Sequence, residues 1–316
     1  MDRSRAGAPV AAVVVSVVLW STAYGLSALV LVTASPAVLS ELRLLLAVPL
    51  LVAMVIVRRA PDRGLCALGA ALRRPRTVLL ALTGVALFYL PSNLGLALSS
   101  AGTAALMSAS LPVLTALLAW GMLRERVTGR VAAGLALTTC GIVLASARAA
   151  QFGLGAVLLV AGLASYALYT VLLRRLAPPQ GGAQRTAGGA APDPLVLATA
   201  TAIWGALLLT PWVAVELVAG TAAWPTGTTG WVSILILALV VTGPTMALYN
   251  YGAERVPAAF SGTAAAAVPV LGYAFAVVLG EPLEPLKVAG GTLALAGIVL
   301  AAMPARASAP VVVSAS

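Results

Sequence analysis

The sequence has no histidine. That excludes Ser-His-Asp hydrolysis, HExxH zinc sites and imidazole proton relays. Cysteine is nearly as scarce. Cys66 sits among arginines in a polar stretch and Cys140 in an apolar run, so neither a disulfide framework nor a zinc knuckle is expected. Charge is the third shortage. Only 9% of the 316 residues are charged, against about 25% in an ordinary soluble domain, too few to coat a globule in water. The 9 acidic residues face 19 basic ones, giving a formal net charge of +10, and Lys287 is the only lysine. A basic excess of this kind suits nucleic acid or the flanks of membrane spans, and position must decide between them. The preference for arginine points to GC-rich bacterial coding.

What abounds is apolar: 61% of the residues are hydrophobic and the mean hydropathy is +1.04. A membrane-crossing helix needs about 20 such residues. Uncharged runs then predict ten spans, at 9–32, 36–57, 77–98, 101–123, 128–147, 153–175, 195–218, 231–252, 258–280 and 286–304. The first is too long for the apolar core of a signal peptide and is read as an uncleaved helix. With the N-terminus placed inside, 16 basic residues fall on the cytoplasmic side and 2, Arg148 and Lys287, outside, with Arg43 within a span. That asymmetry is the positive-inside pattern. It accounts for the net charge without nucleic acid and predicts both termini in the cytoplasm of a multi-pass plasma (inner) membrane protein.

The chain also repeats itself. At an offset of 157, Asn93 meets Asn250, Gly95 meets Gly252 and Pro112 meets Pro269 within matching PVL triplets. One residue later, at an offset of 156, Glu125 meets Glu281, Gly134 meets Gly290, and GIVLA at 141–145 meets GIVLA at 297–301. Each copy holds five spans, an odd number, so the second must run through the bilayer upside down. The expected fold is all-α: ten transmembrane helices as two inverted five-helix repeats, 1–149 and 150–316, with a Pro/Gly/Ala linker at 177–194 and a patternless tail at 305–316. Inverted repeats around a midplane site underlie alternating access in many transporters.

With RLLLA at 43–47, LRERVT at 123–128, LGEPLE at 279–284 and SYALYTVLLRR at 165–175, the chain resembles the drug/metabolite transporter superfamily, specifically its ten-helix EamA-type members. Trp20-Ser21 departs from that family's Trp-Gly. The resemblance implies two five-helix halves around a cavity lined by spans 1, 3, 4, 6, 8 and 9. It also implies a secondary transporter, most often an exporter of a small metabolite or drug-like solute.

The residues point to the same centre. Proline inside a helix frees a carbonyl, and in a bilayer that carbonyl must face protein or water. Pro112 and Pro269 therefore turn inward, either as a substrate acceptor and rocking point or as a structural kink. Polar and aromatic stripes at helical spacing mark candidate cavity residues: Trp20 and Tyr24 in span 1, Tyr89 and Asn93 in span 3, and Ser108 in span 4. Tyr166 and Tyr169 follow in span 6, Thr245 and Tyr249 in span 8, and Thr263 and Tyr273 in span 9. Such walls suit an amphipathic organic solute more than an inorganic ion. Arg43 matches the family's span-2 arginine and needs carbonyls of another helix or an anionic ligand. Glu41, on nearly the opposite face, is the best available proton carrier. Spans 5 and 10 carry small-xxx-small spacings, which let backbones approach closely.

No metal site and no cofactor are expected, and no Walker A sequence is present. The partners read from the sequence are a small-molecule substrate and the lipid bilayer, with monomer and homodimer both open. The alternatives to transport are a membrane scaffold, a lipid-carrier flippase partner and an intramembrane enzyme. The last lacks paired midspan carboxylates.

Overall fold

The computed structural model describes residues 3–125, 127–146, 153–176, 193–253, 255–256 and 258–303. All but Asp193 and Pro194 of the expected linker, and the whole tail from 305, lie outside them. So do the side chains of Asn250 and Thr263.

Among the described residues the protein is helical throughout, with no strand. Eight helices are long and apolar enough to cross a bilayer: Gly7–Leu31, Pro36–Arg59, Pro75–Ala97, Ala101–Leu123, Gly129–Ser146, Leu154–Arg175, Pro194–Val218 and Pro285–Ala302. Two shorter apolar helices, Gly227–Thr242 and Ala264–Val278, lie where spans 8 and 9 were expected. Span 8 continues as Pro244–Ala253 after Gly243, and span 9 begins as Ala258–Ala266 before a break at Ala267. The span numbers of the sequence are kept below. One helix was not anticipated: Pro61–Leu72 lies between spans 2 and 3, in the stretch read as polar. It buries Leu68 and Ala71 against the apolar core that spans 2 and 7 share.

Local chemistry explains the boundaries. Pro36, Pro75, Pro194 and Pro285 each occupy the first turn of their helix, where a missing N–H costs nothing. Ser100 caps span 4 by accepting the Thr103 N–H at 3.2 Å, and Asp193 caps span 7 by accepting that of Leu195 at 2.9 Å. Spans 4 and 9 both end at a positive φ, Arg124 at 56° and Gly280 at 106°, two residues that correspond in the duplicated motif.

The packed pairs of spans include 5 with 10, 3 with 6, 2 with 7, 1 with 8 and 4 with 9, and span 4 also packs on span 6 as span 1 does on span 9. Exchanging the first five spans for the last five carries this set onto itself. The tightest pair obeys the same exchange. A Cβ on Gly134 would lie 2.6 Å from the Gly297 carbonyl oxygen, and one on Gly141 would lie 2.5 Å from that of Gly290. Spans 2 and 7 are pinned at both ends. Glu216, near the end of span 7, accepts the Ser35 hydroxyl and the Ala37 N–H at the start of span 2. At the other end Arg59, in the last turn of span 2, lies 3.2 Å from Asp193.

Spans 3 and 8 each contain a π-helical segment, Leu82–Ala86 and Leu237–Thr242. A π-segment inserts one residue into the α-helical register, and such insertions often sit at functional sites. Both segments reach the same central space.

Candidate functional site

That space is a cavity of about 630 Å³ between the two halves. The breaks in spans 4 and 9 open onto it. Span 4 interrupts its helix at Ser108 and Ala109, ahead of Pro112. The Ser108 carbonyl, which the proline displaces, is taken by the Leu111 N–H at 3.0 Å, so a tightened turn satisfies it. In span 9, Pro269 follows the break at Ala267, whose N–H bonds to the Ala264 carbonyl at 3.0 Å.

Most of the candidate residues line this cavity: Trp20, Tyr24, Arg43, Tyr89, Asn93, Ser108, Pro112, Tyr166, Tyr169, Tyr249 and Pro269. Their aromatic rings form two groups. Trp20 and Tyr249 meet at 4.7 Å between centroids. Tyr166 meets Phe88 at 5.1 Å and Tyr169 at 5.4 Å. Among the described residues, the hydroxyls of Tyr24, Tyr89, Tyr166 and Tyr169 make no hydrogen bond to protein and are left to the cavity. Asn93 is held from behind: its amide donates to Ser40 Oγ at 2.7 Å, and Ser40 donates to the Pro36 carbonyl at 2.7 Å.

Arg43 is fixed by two contacts. Its Nε donates to Thr242 Oγ1 at 2.8 Å, and its guanidinium carbon stands 5.0 Å from the centre of the Tyr89 ring. Thr242 belongs to the π-segment of span 8 and donates its own proton five residues back, to the Leu237 carbonyl at 2.7 Å. The insertion thus aims the threonine oxygen at the arginine.

Two expected residues are set elsewhere. Thr245 has no exposed surface, and its hydroxyl is used on the Val240 carbonyl at 2.6 Å, five residues back across the π-turn. Tyr273 is turned towards the far end of span 9. There its hydroxyl donates to the Pro282 carbonyl at 3.3 Å and accepts the Glu284 N–H at 2.8 Å. Glu41 is also off the cavity: it lies against span 7, 3.4 Å from the Thr210 hydroxyl. Its separation from Arg43 follows from their two-residue spacing on one helix. The side chain of Thr263 lies outside the described residues.

Other lining residues carry no signal in a sequence. Leu44 and Leu51 of span 2 and Ala198, Thr201 and Ala202 of span 7 complete the walls, which extends the lining beyond the six spans the resemblance implied. Gly84, on the π-segment of span 3, makes room for Tyr169, because a Cβ there would lie 2.5 Å from the ring. Ser92 and Phe88 also line the cavity on the face that Tyr89 and Asn93 mark.

Spans 1 and 4 both pack closely against span 9 and the turn that follows it. A Cβ on Gly25 would lie 2.6 Å from Phe275, and one on Gly102 would lie 2.6 Å from a Glu281 carboxylate oxygen. Glu281 also accepts the Gly102 N–H at 3.0 Å, at the start of span 4, where a helix favours an anion.

Residues 8–147, and again residues 153–303, match the EamA-like transporter family. The uncharacterized transporter YetK of Bacillus subtilis (strain 168) is 26% identical over 224 residues, 68% of this chain, and the chain spans 64% of that relative's length. A protein of known crystal structure, 18% identical, superposes on 93% of this chain and 95% of its own with a TM-score of 0.65, a likeness of fold.

Proposed function

Because the chain belongs to the EamA-like transporter family, we propose that this membrane transporter carries a small organic solute by alternating access, working as an exporter of the bacterial plasma membrane. The observation that carries the proposal is the cavity of about 630 Å³ where the broken spans 4 and 9 meet. Its aromatic and hydroxyl lining suits an amphipathic solute of modest size.

The two halves, 1–149 and 150–316, are inverted copies of five spans each, and rocking of one against the other exposes the cavity to each side in turn. The set of packed pairs that survives exchange of the halves supports this reading. So do the paired π-segments and the matched breaks. Both termini lie in the cytoplasm, as the distribution of arginine favours.

Solute flux in sealed vesicles containing the purified protein tests the transport reading. Flux that requires the protein and saturates with one solute is the expected result, and catalytic turnover in detergent without compartments would replace it with an enzyme. Trp20→Ala and Tyr166→Ala should each cut flux by roughly tenfold, since each removes an aromatic contact, with insertion unchanged. Equal flux in all three proteins would remove the two rings from the site. Inversion has its own test. In a background with Cys66 and Cys140 replaced by serine, single cysteines at Glu125 and Glu281 should label from opposite faces. Labelling from one face would end the inverted-repeat reading.

A further inference from the structure

The cavity holds one formal charge among the described residues, that of Arg43, and no carboxylate lines it. The acidic residues that could neutralise this arginine are engaged elsewhere. Glu216 serves the start of span 2, Asp193 lies against Arg59, and Glu125 is 3.7 Å from Arg174. Glu281 and Glu284 surround Lys287, and Glu41 is near Thr210 on the other side of span 2. Asp62 lies in the connecting helix beyond span 2, while Asp2 and Glu254 are outside the described residues.

Within the guanidinium, Nε is used on Thr242 and one face lies over Tyr89. Among the described residues, neither terminal amino group forms a hydrogen bond or ion pair, and neither is sealed away as a buried orphan. They open onto the cavity. A desolvated cation with two parallel donors free is a fork-shaped receptor for a planar anion. A charge left unpaired in a membrane interior is expensive, so bringing an anion to it is correspondingly favourable.

We infer that the cavity takes an aromatic carboxylate, with the carboxylate on the terminal amines of Arg43 and the ring among Trp20, Tyr249 and Tyr166. One guanidinium matches one negative charge. The absence of a lining carboxylate leaves a cationic group on the solute with no counter-charge, and the clustered rings favour a flat apolar body. The inference rests on the transport reading for the role of the cavity, and on the arginine alone for its chemistry.

Indole-3-acetate, indole-3-acetamide and tryptamine share one ring and differ in the charge of the tail. Calorimetric titration of the purified full chain should find the acetate bound about tenfold or more tighter than the amide, the worth of a hydrogen bond to a charged group. Tryptamine should bind weakest. Arg43→Gln should bring the acetate down to the affinity of the amide and leave the amide unchanged, whereas Arg43→Lys should fall between. Equal binding of acetate and amide by the unaltered protein, preference for tryptamine, or no binding of any probe would overturn the inference, and none of these results depends on the variant folding. Vesicle flux separates the two claims. Flux of an uncharged or cationic solute without carboxylate binding refutes the ligand class alone, while carboxylate binding without flux of any solute refutes transport alone.

Discussion

Gly141→Leu should leave the protein unable to form the pair of spans 5 and 10, giving aggregated material on size exclusion in detergent. At this crossing the neighbours are backbone atoms and cannot rotate away: the Gly290 carbonyl oxygen lies 2.5 Å from where a Cβ would stand, and the Ala294 N–H closes the other side. Overpacking a core commonly costs about 1–3 kcal/mol when side chains can adjust. A clash between two helix backbones exceeds that, and bilayer helices associate through close packing of this kind. Gly121→Ala is the control. Nothing lies within 4 Å of its Cβ position, and alanine is favoured over glycine in a helix by about 1 kcal/mol. A Gly141→Leu protein that elutes and melts like the Gly121→Ala protein would show that the crossing tolerates separation.

Lys287→Met should lower the midpoint of heat denaturation, followed by tryptophan fluorescence, more than substitution of any exposed arginine. The lysine side chain is 8% exposed and is held by Glu284 at 2.8 Å, by Glu281 at 4.0 Å and over the Tyr273 ring at 5.8 Å. Without it, two carboxylates share one corner with no cation among the described residues. Breaking a fully buried pair costs about 3–5 kcal/mol. Because Glu284 keeps 34% of its surface, a loss of about 2 kcal/mol is expected here. Adding Glu284→Gln should restore part of it. The same corner holds Glu281 on the Gly102 N–H, so the start of span 4 should loosen together with the fold. An unchanged midpoint would make the cluster idle.

Apolar length and arginine placement already marked the helical segments, because a bilayer leaves a chain few ways to satisfy its backbone. Proline and glycine marked where spans 4 and 9 break and where spans 5 and 10 touch. The site was legible wherever a large aromatic or an arginine lay at helical spacing. It was not legible where leucine or alanine formed a wall, as at Leu44 and Ala198, because the same residues also face lipid. Thr245 shows a different limit. Simple helical spacing puts it on the stripe of Thr242 and Tyr249, but nothing in Leu-Ala-Leu-Val-Val-Thr announces the π-turn that diverts its hydroxyl to the Val240 carbonyl. Tyr273 shows a third limit: its hydroxyl partners, Pro282 and Glu284, lie beyond the end of its own helix, where helical spacing carries no information.

The widened turn at Leu237–Thr242 makes span 8 sensitive to where its length changes rather than to composition. Each residue of an α-helix advances the next by about 100°. That turn absorbs the angle of one extra residue, so deleting one within it would restore ordinary winding and keep Tyr249 beside Trp20, whereas deleting one in the α-helical stretch between it and Tyr249 would swing the tyrosine away by about that angle. Pointwise replacement of Leu239 or Val240, both exposed, would leave that phase intact. Here the identity of the letters matters less than the place where one is lost.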